Sequence, residues 1–449
     1  MPQTEMTASG RYVILAAAFL GWMFAGVQMN LTRLAAQSIT EDFARSGRLI
    51  PGATFSWNNL LVFESAGSGA SAEPSPIFLK QQRPRWAANY DSAFLLGAAF
   101  GGMVFGWLGD RVGRARAMGA SILCYSCFAG TSYFVLTPEQ LVLLRFLSGM
   151  GVGGMWPTGV SLAAEAWSDV SRPMLSGLLG TSANVGIVLL SAIACFVPLS
   201  PDSWRWMMLL GWPSALLGVL VWVLVPESPA WLAARAQAVQ SSTAKGSLRV
   251  LFAPPLLPRT LMGIALGTIP LLGGWGVTAW FINWTQSELP ASDFRSPAMT
   301  SLMRAGGASI GALFGGWIAN LLGRRTTFFL ISLCSFGLSE YIYLAMNPKM
   351  SGFSAAVFAV GLISTVFFGW LPLYLPELFP THARATGAGI SFNFGRILTA
   401  AGVLGTGALT AYFQGNYRVA GSVMSLIYAM GMIVILFAPD TTGKKLAEE

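Results

Sequence analysis

Gly106-Trp107-Leu108-Gly109-Asp110-Arg111-Val112-Gly113-Arg114 decides how this chain is read, because it returns as Gly316-Trp317-Ile318-Ala319-Asn320-Leu321-Leu322-Gly323-Arg324. Each copy sits between two apolar runs long enough to cross a bilayer. Two further elements repeat at nearly the same offset. Glu165 precedes Arg172 by seven residues, as Glu377 precedes Arg384, and Pro226-Glu227-Ser228-Pro229 is echoed by Pro439-Asp440-Thr441-Thr442-Gly443. A soluble repeat of this period has no reason to end each unit at a membrane face. Two parallel halves meeting around a midplane site is the arrangement transporters build from such a repeat.

Composition agrees. Of 449 residues 54% are hydrophobic and 10% charged, and mean hydropathy is +0.59. A soluble domain carries roughly 25% charged residues. A soluble enzyme, a disordered chain and a secreted disulfide scaffold are excluded. The net charge of +8 offers no basic face to nucleic acid in so apolar a chain; it sorts to one side of a membrane. The four cysteines lie inside apolar runs, where disulfides are not expected, and the Cys124/Cys127 pair reads as packing. No metal cluster, nucleophile constellation or phosphate loop appears, so neither a cofactor nor an enzymatic activity is expected.

Spans are read near 12–32, 87–108, 117–136, 140–162, 174–197, 205–225, 260–284, 297–320, 327–346, 352–374, 386–412 and 417–437. They divide the chain into a six-helix half at 1–225 with a long outer loop at 33–86, a cytoplasmic linker at 226–259, and a second six-helix half at 260–449. The outer loop is rich in Gly, Ser and Pro and reads as turns and flexible chain. With a cytoplasmic N-terminus, fourteen basic residues face the cytoplasm and four lie in short outer loops. That asymmetry satisfies the positive-inside rule and places both termini in the cytoplasm.

With these elements in hand, the chain resembles the major facilitator superfamily over nearly all of its length. The Gly-Asp-Arg-Val-Gly-Arg element, the paired Glu/Arg elements and Pro-Glu-Ser-Pro resemble those of its sugar-porter, organic-ion and aromatic-acid branches. The resemblance implies an all-α, twelve-helix rocker-switch carrier in the plasma membrane, the inner membrane in a bacterium, working as a monomer in the lipid bilayer. Asp110, Arg111, Arg114, Glu165, Arg172, Glu227, Arg324, Glu377 and Arg384 are expected to form a cytoplasmic rim network that breaks and re-forms between states. Asn320 and Leu321 replace the charged pair of the first loop, so the second copy is expected to gate less.

The solute is read from the charge inventory. Eighteen of nineteen acidic residues read as loop or span-end groups, and only Glu340 falls well inside a span; Arg145, Arg304 and Arg396 stand against it. An arginine at the bilayer centre costs about 2.5–3.5 kcal/mol even on lenient scales, so each needs water or a partner. The cavity is therefore electropositive and suits a small organic anion. Arg396 lies twelve residues beyond Arg384, roughly 18 Å from the cytoplasmic rim on a helix. The run Arg384 to Arg396 resembles the eleventh span of organic-anion and aromatic-acid transporters, where the resemblance implies a substrate-site arginine. Guanidinium binds a carboxylate through a planar two-bond fork. Arg145 opens a stretch like the family's fourth-span signature, while Arg304 reads as shallow and structural.

Trp275, Trp280, Trp370 and Tyr374 are candidate aromatic walls, and Gln28, Asn184 and Asn393 candidate polar liners. Aromatic-acid symporters tend to carry an acidic residue in the first span; here Gly21-Trp22-Met23-Phe24-Ala25-Gly26-Val27-Gln28 has none. Coupling to protons therefore stays open beside uniport. A sugar or polyol porter is the alternative, disfavoured by the arginines and by a seventh span without the family's glutamine pair. A non-transporting receptor on the same fold is a third reading.

Overall fold

Fourteen α-helices are present among the described residues, which are 7–49, 55–62, 74–167, 172–228, 231–232, 251–290, 292–380 and 383–442 of the computed structural model. In chain order they are α1 (Ala8–Arg45), α2 (Pro76–Val112), α3 (Arg114–Thr131), α4 (Pro138–Ala166), α5 (Arg172–Phe196), α6 (Arg205–Leu209) and α7 (Pro213–Leu224) in the first half. The second half holds α8 (Leu257–Leu272), α9 (Trp280–Glu288), α10 (Arg295–Leu322), α11 (Arg324–Ala345), α12 (Phe353–Glu377), α13 (Arg384–Tyr412) and α14 (Tyr417–Phe437). The sixth span is α6 with α7, restarted at Pro213, and the seventh is α8 with α9, so the helices make two sets of six. Ten segments are long and apolar enough to cross a membrane on their own account. Helices α3 and α4 fall short because α3 opens on Arg114 and Arg116 and α4 carries Glu139, Arg145 and many glycines; α4 packs against both α2 and α3.

Local chemistry sets the helix ends. Ser75 and Thr137 cap α2 and α4 by accepting from the amides of Phe78 and Gln140, each followed by proline at the first helical position. Gly113 (φ 113°) and Gly323 (φ 84°) end α2 and α10 in a conformation that side chains rarely adopt. The repeat seen in sequence is also a repeat of packing. A Cβ on Gly97 or Gly101 would lie 1.9 Å from the carbonyl oxygen of Phe146 or Met150 in α4. On Gly307 and Gly311 it would lie 2.1 Å and 2.0 Å from those of Phe358 and Leu362 in α12. Such backbone contact is how membrane helices associate where no hydrophobic force separates them from lipid.

The long outer segment differs from the expected loop. Helix α1 continues to Arg45 and α2 begins at Pro76, so much of 33–86 is helix. Leu34, Ile39 and Phe43 pack with Trp204 and Met207 in one apolar cluster. The intervening charges pair sideways: Glu41 with Arg83, and Asp42 with Arg205 at 2.6 Å. Beyond α1 the turn Trp57–Leu61 docks on the start of α4, where the Glu139 carboxylate accepts from Asn59 Nδ2 at 2.9 Å. Residues 63–73, and most of the linker at 229–230 and 233–250, lie outside the described residues.

Candidate functional site: a cationic cavity between the halves

Gly273-Gly274-Trp275-Gly276, following Pro270, opens the seventh span into a π-helical turn, Gly273–Thr278, between α8 and α9. Wide turns of this kind recur at functional sites because they re-aim side chains. Here the turn delivers Trp275 to a cavity that the two halves share. The cavity holds about 1090 Å³ of empty space including its mouth, and its walls include Trp22 and Trp156, Asn184, Trp275, Ser364 and Thr365. Three arginines reach it: Arg33 from α1, Arg304 from α10 and Arg396 from α13.

Each guanidinium has a distinct environment. Arg33 Nε donates to Asp91 Oδ2 at 2.9 Å, both side chains being at least nine-tenths buried, and its Cζ lies 3.9 Å from the Trp275 ring centre. Arg33 Nη2 is buried without a partner. Arg396 Nη1 donates to the Ala98 carbonyl across the interface at 3.1 Å and to Asn393 Oδ1 at 3.3 Å. Arg304 is buried on the cavity wall with Nε unpartnered. In low dielectric such groups are stabilised by an anion far more than water-exposed ones are. Walls of indole and guanidinium suit a planar or apolar acid.

The expected site residues divide accordingly. Arg396, Asn184 and Trp275 line the cavity, and Asn393 touches it through Arg396. Arg145 does not line it: Nη1 donates to the Gln28 carbonyl at 2.7 Å and the group lies over Phe94. Gln28 is buried behind that bond with its amide unpartnered. Trp280 and Trp370 are packed in the apolar core of the second half, and the Tyr374 hydroxyl donates to the Pro439 carbonyl at 2.6 Å near the rim. Arg304 is the reverse case, a cavity residue that the sequence reading placed as structural. Arg33 and Asp91 were missed, since the first span was ended at 32 and Asp91 counted as a span-end group. A signal was available, for Asp91, Phe94, Leu95 and Ala98 share one face of a helix at i, i+3, i+4 and i+7 spacing.

On the face away from the Gly113 and Gly323 turns the halves close on one another. Asn30 Nδ2 donates to Ser301 Oγ at 2.8 Å, Ser191 and Ser301 hydroxyls lie 2.8 Å apart, and Gln286 Nε2 donates to the Arg33 and Leu34 carbonyls at 3.0 and 2.9 Å. At the rim formed by the Gly113 and Gly323 turns the charges pair within each half. Arg114 meets Glu165 at 3.3 Å and Asp110 at 3.6 Å; Arg324 meets Glu377 at 3.1 Å and Asn320 Oδ1 at 2.9 Å. The two glutamates thus hold the matching loop arginines, Arg114 and Arg324. Asn320 also keeps the contact that Asp110 makes, so the second loop is less degenerate than its sequence implies. Glu227 accepts from the amides of Arg114 and Ala115, while Thr442 Oγ1 accepts from that of Arg324, matching ends to matching helices. Arg111 lies over Trp107, and Arg384 is partly buried with partners of its own. The Arg172 side chain and His382 lie outside the described residues.

Two six-span halves, repeated glycine packing and a shared polar cavity define a membrane solute carrier. The chain belongs to the Major Facilitator Superfamily, whose family model matches residues 87–403. It is 29% identical over 365 residues to a cis,cis-muconate transport protein of Acinetobacter baylyi, covering 79% of this chain and 85% of that one. It is 26% identical over 378 residues to a 3-(3-hydroxy-phenyl)propionate transporter of Escherichia coli, covering 84% and 90%. The fold matches the inward-open xylose transporter XylE of E. coli with a TM-score of 0.70 over 98% of each chain, at 16% identity. The protein is therefore an integral membrane transporter and not an enzyme.

Proposed function

We propose that this carrier moves a small organic carboxylate, with a planar or aromatic body, across the membrane by alternating access. The observation that carries the reading is the convergence of Arg33, Arg304 and Arg396 on one cavity walled by Trp22, Trp156 and Trp275. Asp91, paired with Arg33, is the one carboxylate found with them among the described residues, and it leaves positive charge in excess. The names of the muconate and hydroxyphenylpropionate carriers support the same solute class. In this reading Arg33, Arg304 and Arg396 share the solute's charge, Asn184 and Asn393 hold its polar periphery, and the indoles its body. The rim networks act as the cytoplasmic gate, and the seal around Ser301 and Gln286 as the outer gate. Both termini lie in the cytoplasm, following the sorting of basic residues.

The test is uptake by proteoliposomes of labelled cis,cis-muconate, 3-(3-hydroxyphenyl)propionate, benzoate and xylose, with protein-free liposomes subtracted. Saturable uptake of at least one acid, unaffected by excess xylose, is the expected result. Saturable xylose uptake with no acid transported would overturn the carboxylate reading in favour of a sugar porter.

A further inference from the structure

We infer that Asp91 is the proton-carrying group of this transporter: it takes up a proton when the carboxylate of a solute engages Arg33. The inference rests on the carboxylate reading above and deepens it. The first span, where an acidic residue is expected in related symporters, holds none between Gly21 and Gln28. A carboxylate nevertheless reaches the same region from the second span, at Asp91.

The geometry makes this pair different from a structural ion pair. Asp91 is held by a single guanidinium bond, Arg33 Nε to Oδ2 at 2.9 Å. The rest of that guanidinium belongs to the cavity: Arg33 lines it, rests on Trp275 and keeps a buried Nη2 with no partner. A buried donor without a partner costs about 1–3 kcal/mol, and here it belongs to a paired guanidinium that also lines the cavity. The open donor is accounted for by an occupant that arrives from the cavity side.

The neighbouring charges determine how Asp91 responds to that occupant. From α4, Arg145 lies within electrostatic range of Asp91 and Arg33; its Nη1 donates to the Gln28 carbonyl and its guanidinium lies over the Phe94 ring, while Nε and Nη2 are buried without a partner. From α10, Arg304 faces Arg33, not Asp91. From α13, Arg396 is engaged by the Ala98 carbonyl further along α2 and by Asn393 of its own helix. On α2 itself the Tyr90 hydroxyl is buried without a partner, and Glu139 on α4 is occupied by the outer turn. Among the described residues Arg33 is the counter-charge in direct contact with Asp91, and Arg145 is a second positive charge that acts on it without a direct bond. A solute carboxylate on Arg33 draws off part of that counter-charge and brings a second negative charge close by. Both effects favour the protonated form of Asp91. One anion and one proton then cross together, with charge balanced for a monocarboxylate. Once the solute has left on the far side, Asp91 gives the proton up there and re-forms the Arg33 pair, and the empty carrier returns deprotonated.

The experiment uses the purified full chain and 3-(3-hydroxyphenyl)propionate, cis,cis-muconate and benzoate as probes. In weakly buffered detergent solution, binding of any of them to wild type is expected to take up about one proton per solute bound, read with a pH dye. In proteoliposomes an imposed gradient of one pH unit then supports about tenfold accumulation of a monocarboxylate. Asp91→Asn is expected to keep exchange of labelled for unlabelled solute, to lose gradient-driven accumulation, and to bind without proton uptake. Wild type that binds a probe with no proton uptake overturns the inference, whatever the variant does. Gradient-driven accumulation retained by Asp91→Asn overturns it as well. Wild type that binds none of the three acids overturns the carboxylate reading, and this inference falls with it.

Discussion

Replacing Arg396 separates its binding role from a packing role. Its Nη1 is committed to Ala98 and Asn393, which leaves Nε and Nη2 to face the cavity as one edge of the planar fork. A carboxylate held on that edge gains charge-assisted hydrogen bonding worth about 1.5–3 kcal/mol. At 1.4 kcal/mol per decade this is roughly ten- to a hundredfold in affinity. Arg396→Ala should raise the KM for 3-(3-hydroxyphenyl)propionate by that factor. Little stability should go with it, because the Ala98 carbonyl is inside α2 and has its helical partner. Arg396→Lys should recover only part of the loss, since an ammonium cannot reproduce the fork. The assay is a dose–response in proteoliposomes for the acid and its uncharged amide, with equal protein incorporated. Equal losses for acid and amide, or loss of the folded protein in both variants, would refute the reasoning and return Arg396 to a role in holding α13 against α2.

Gln286→Ala removes two donors from the outer seal, worth together about 1–3 kcal/mol; maleimide labelling of a cysteine placed at Ala298, in a cysteine-free background, should speed up about tenfold, and an unchanged rate would mean the seal lies elsewhere. Glu377→Gln weakens the Arg324 pair and should slow exchange between inward and outward states while leaving equilibrium binding intact; lost binding with normal exchange would remove the rim from the gate. Gly101→Leu and Gly311→Leu each force a side chain into a neighbouring backbone, costing about 1–3 kcal/mol or more, and should lower the Tm in detergent. Gly106→Leu, whose Cβ meets nothing within 4 Å, should leave it unchanged.

What the sequence made legible was whatever depends on pattern along the chain. Apolar runs, the repeat around Gly113 and Gly323, and the sorting of arginines by side are all one-dimensional signals, and the runs and the repeat have their counterparts in the helices. Arg396, Asn184 and Trp275 were reachable because depth follows from residue count along a helix. Trp280, Trp370 and Tyr374 were not separable from them, since an indole buried in a core and an indole on a cavity wall differ only in rotation about the helix. Partner choice was also hidden. Glu165 and Glu377 pair with Arg114 and Arg324, about fifty residues upstream, and nothing local in the sequence joins groups so far apart.

The largest difference comes from where the first span was ended. Reading apolar runs treats a charge as a boundary, so Arg33 closed the first span and Asp91 fell among the span-end groups. In the folded protein both lie within helices that overrun the apolar run, because each charge finds a lateral partner: Arg33 with Asp91, Glu41 with Arg83, Asp42 with Arg205. Pairing is what lets a helix carry charge through a region that hydropathy alone would end. The correction has unequal effects on the two functional readings. It adds one arginine and one aspartate to the cavity region, so the positive excess stands and an anion remains the fitting solute. For coupling the correction supplies a candidate, because a carboxylate is now paired with a guanidinium that lines the cavity. The same residue reaches the outer gate, for the Arg33 carbonyl accepts from Gln286 of the other half. An occupant that shifts Arg33 toward the cavity therefore acts on a peptide whose hydrogen bond helps seal the outer side. A ligand moves such an equilibrium only by contacts that differ between the two states, and Arg33 has one contact in the site and another across the two halves.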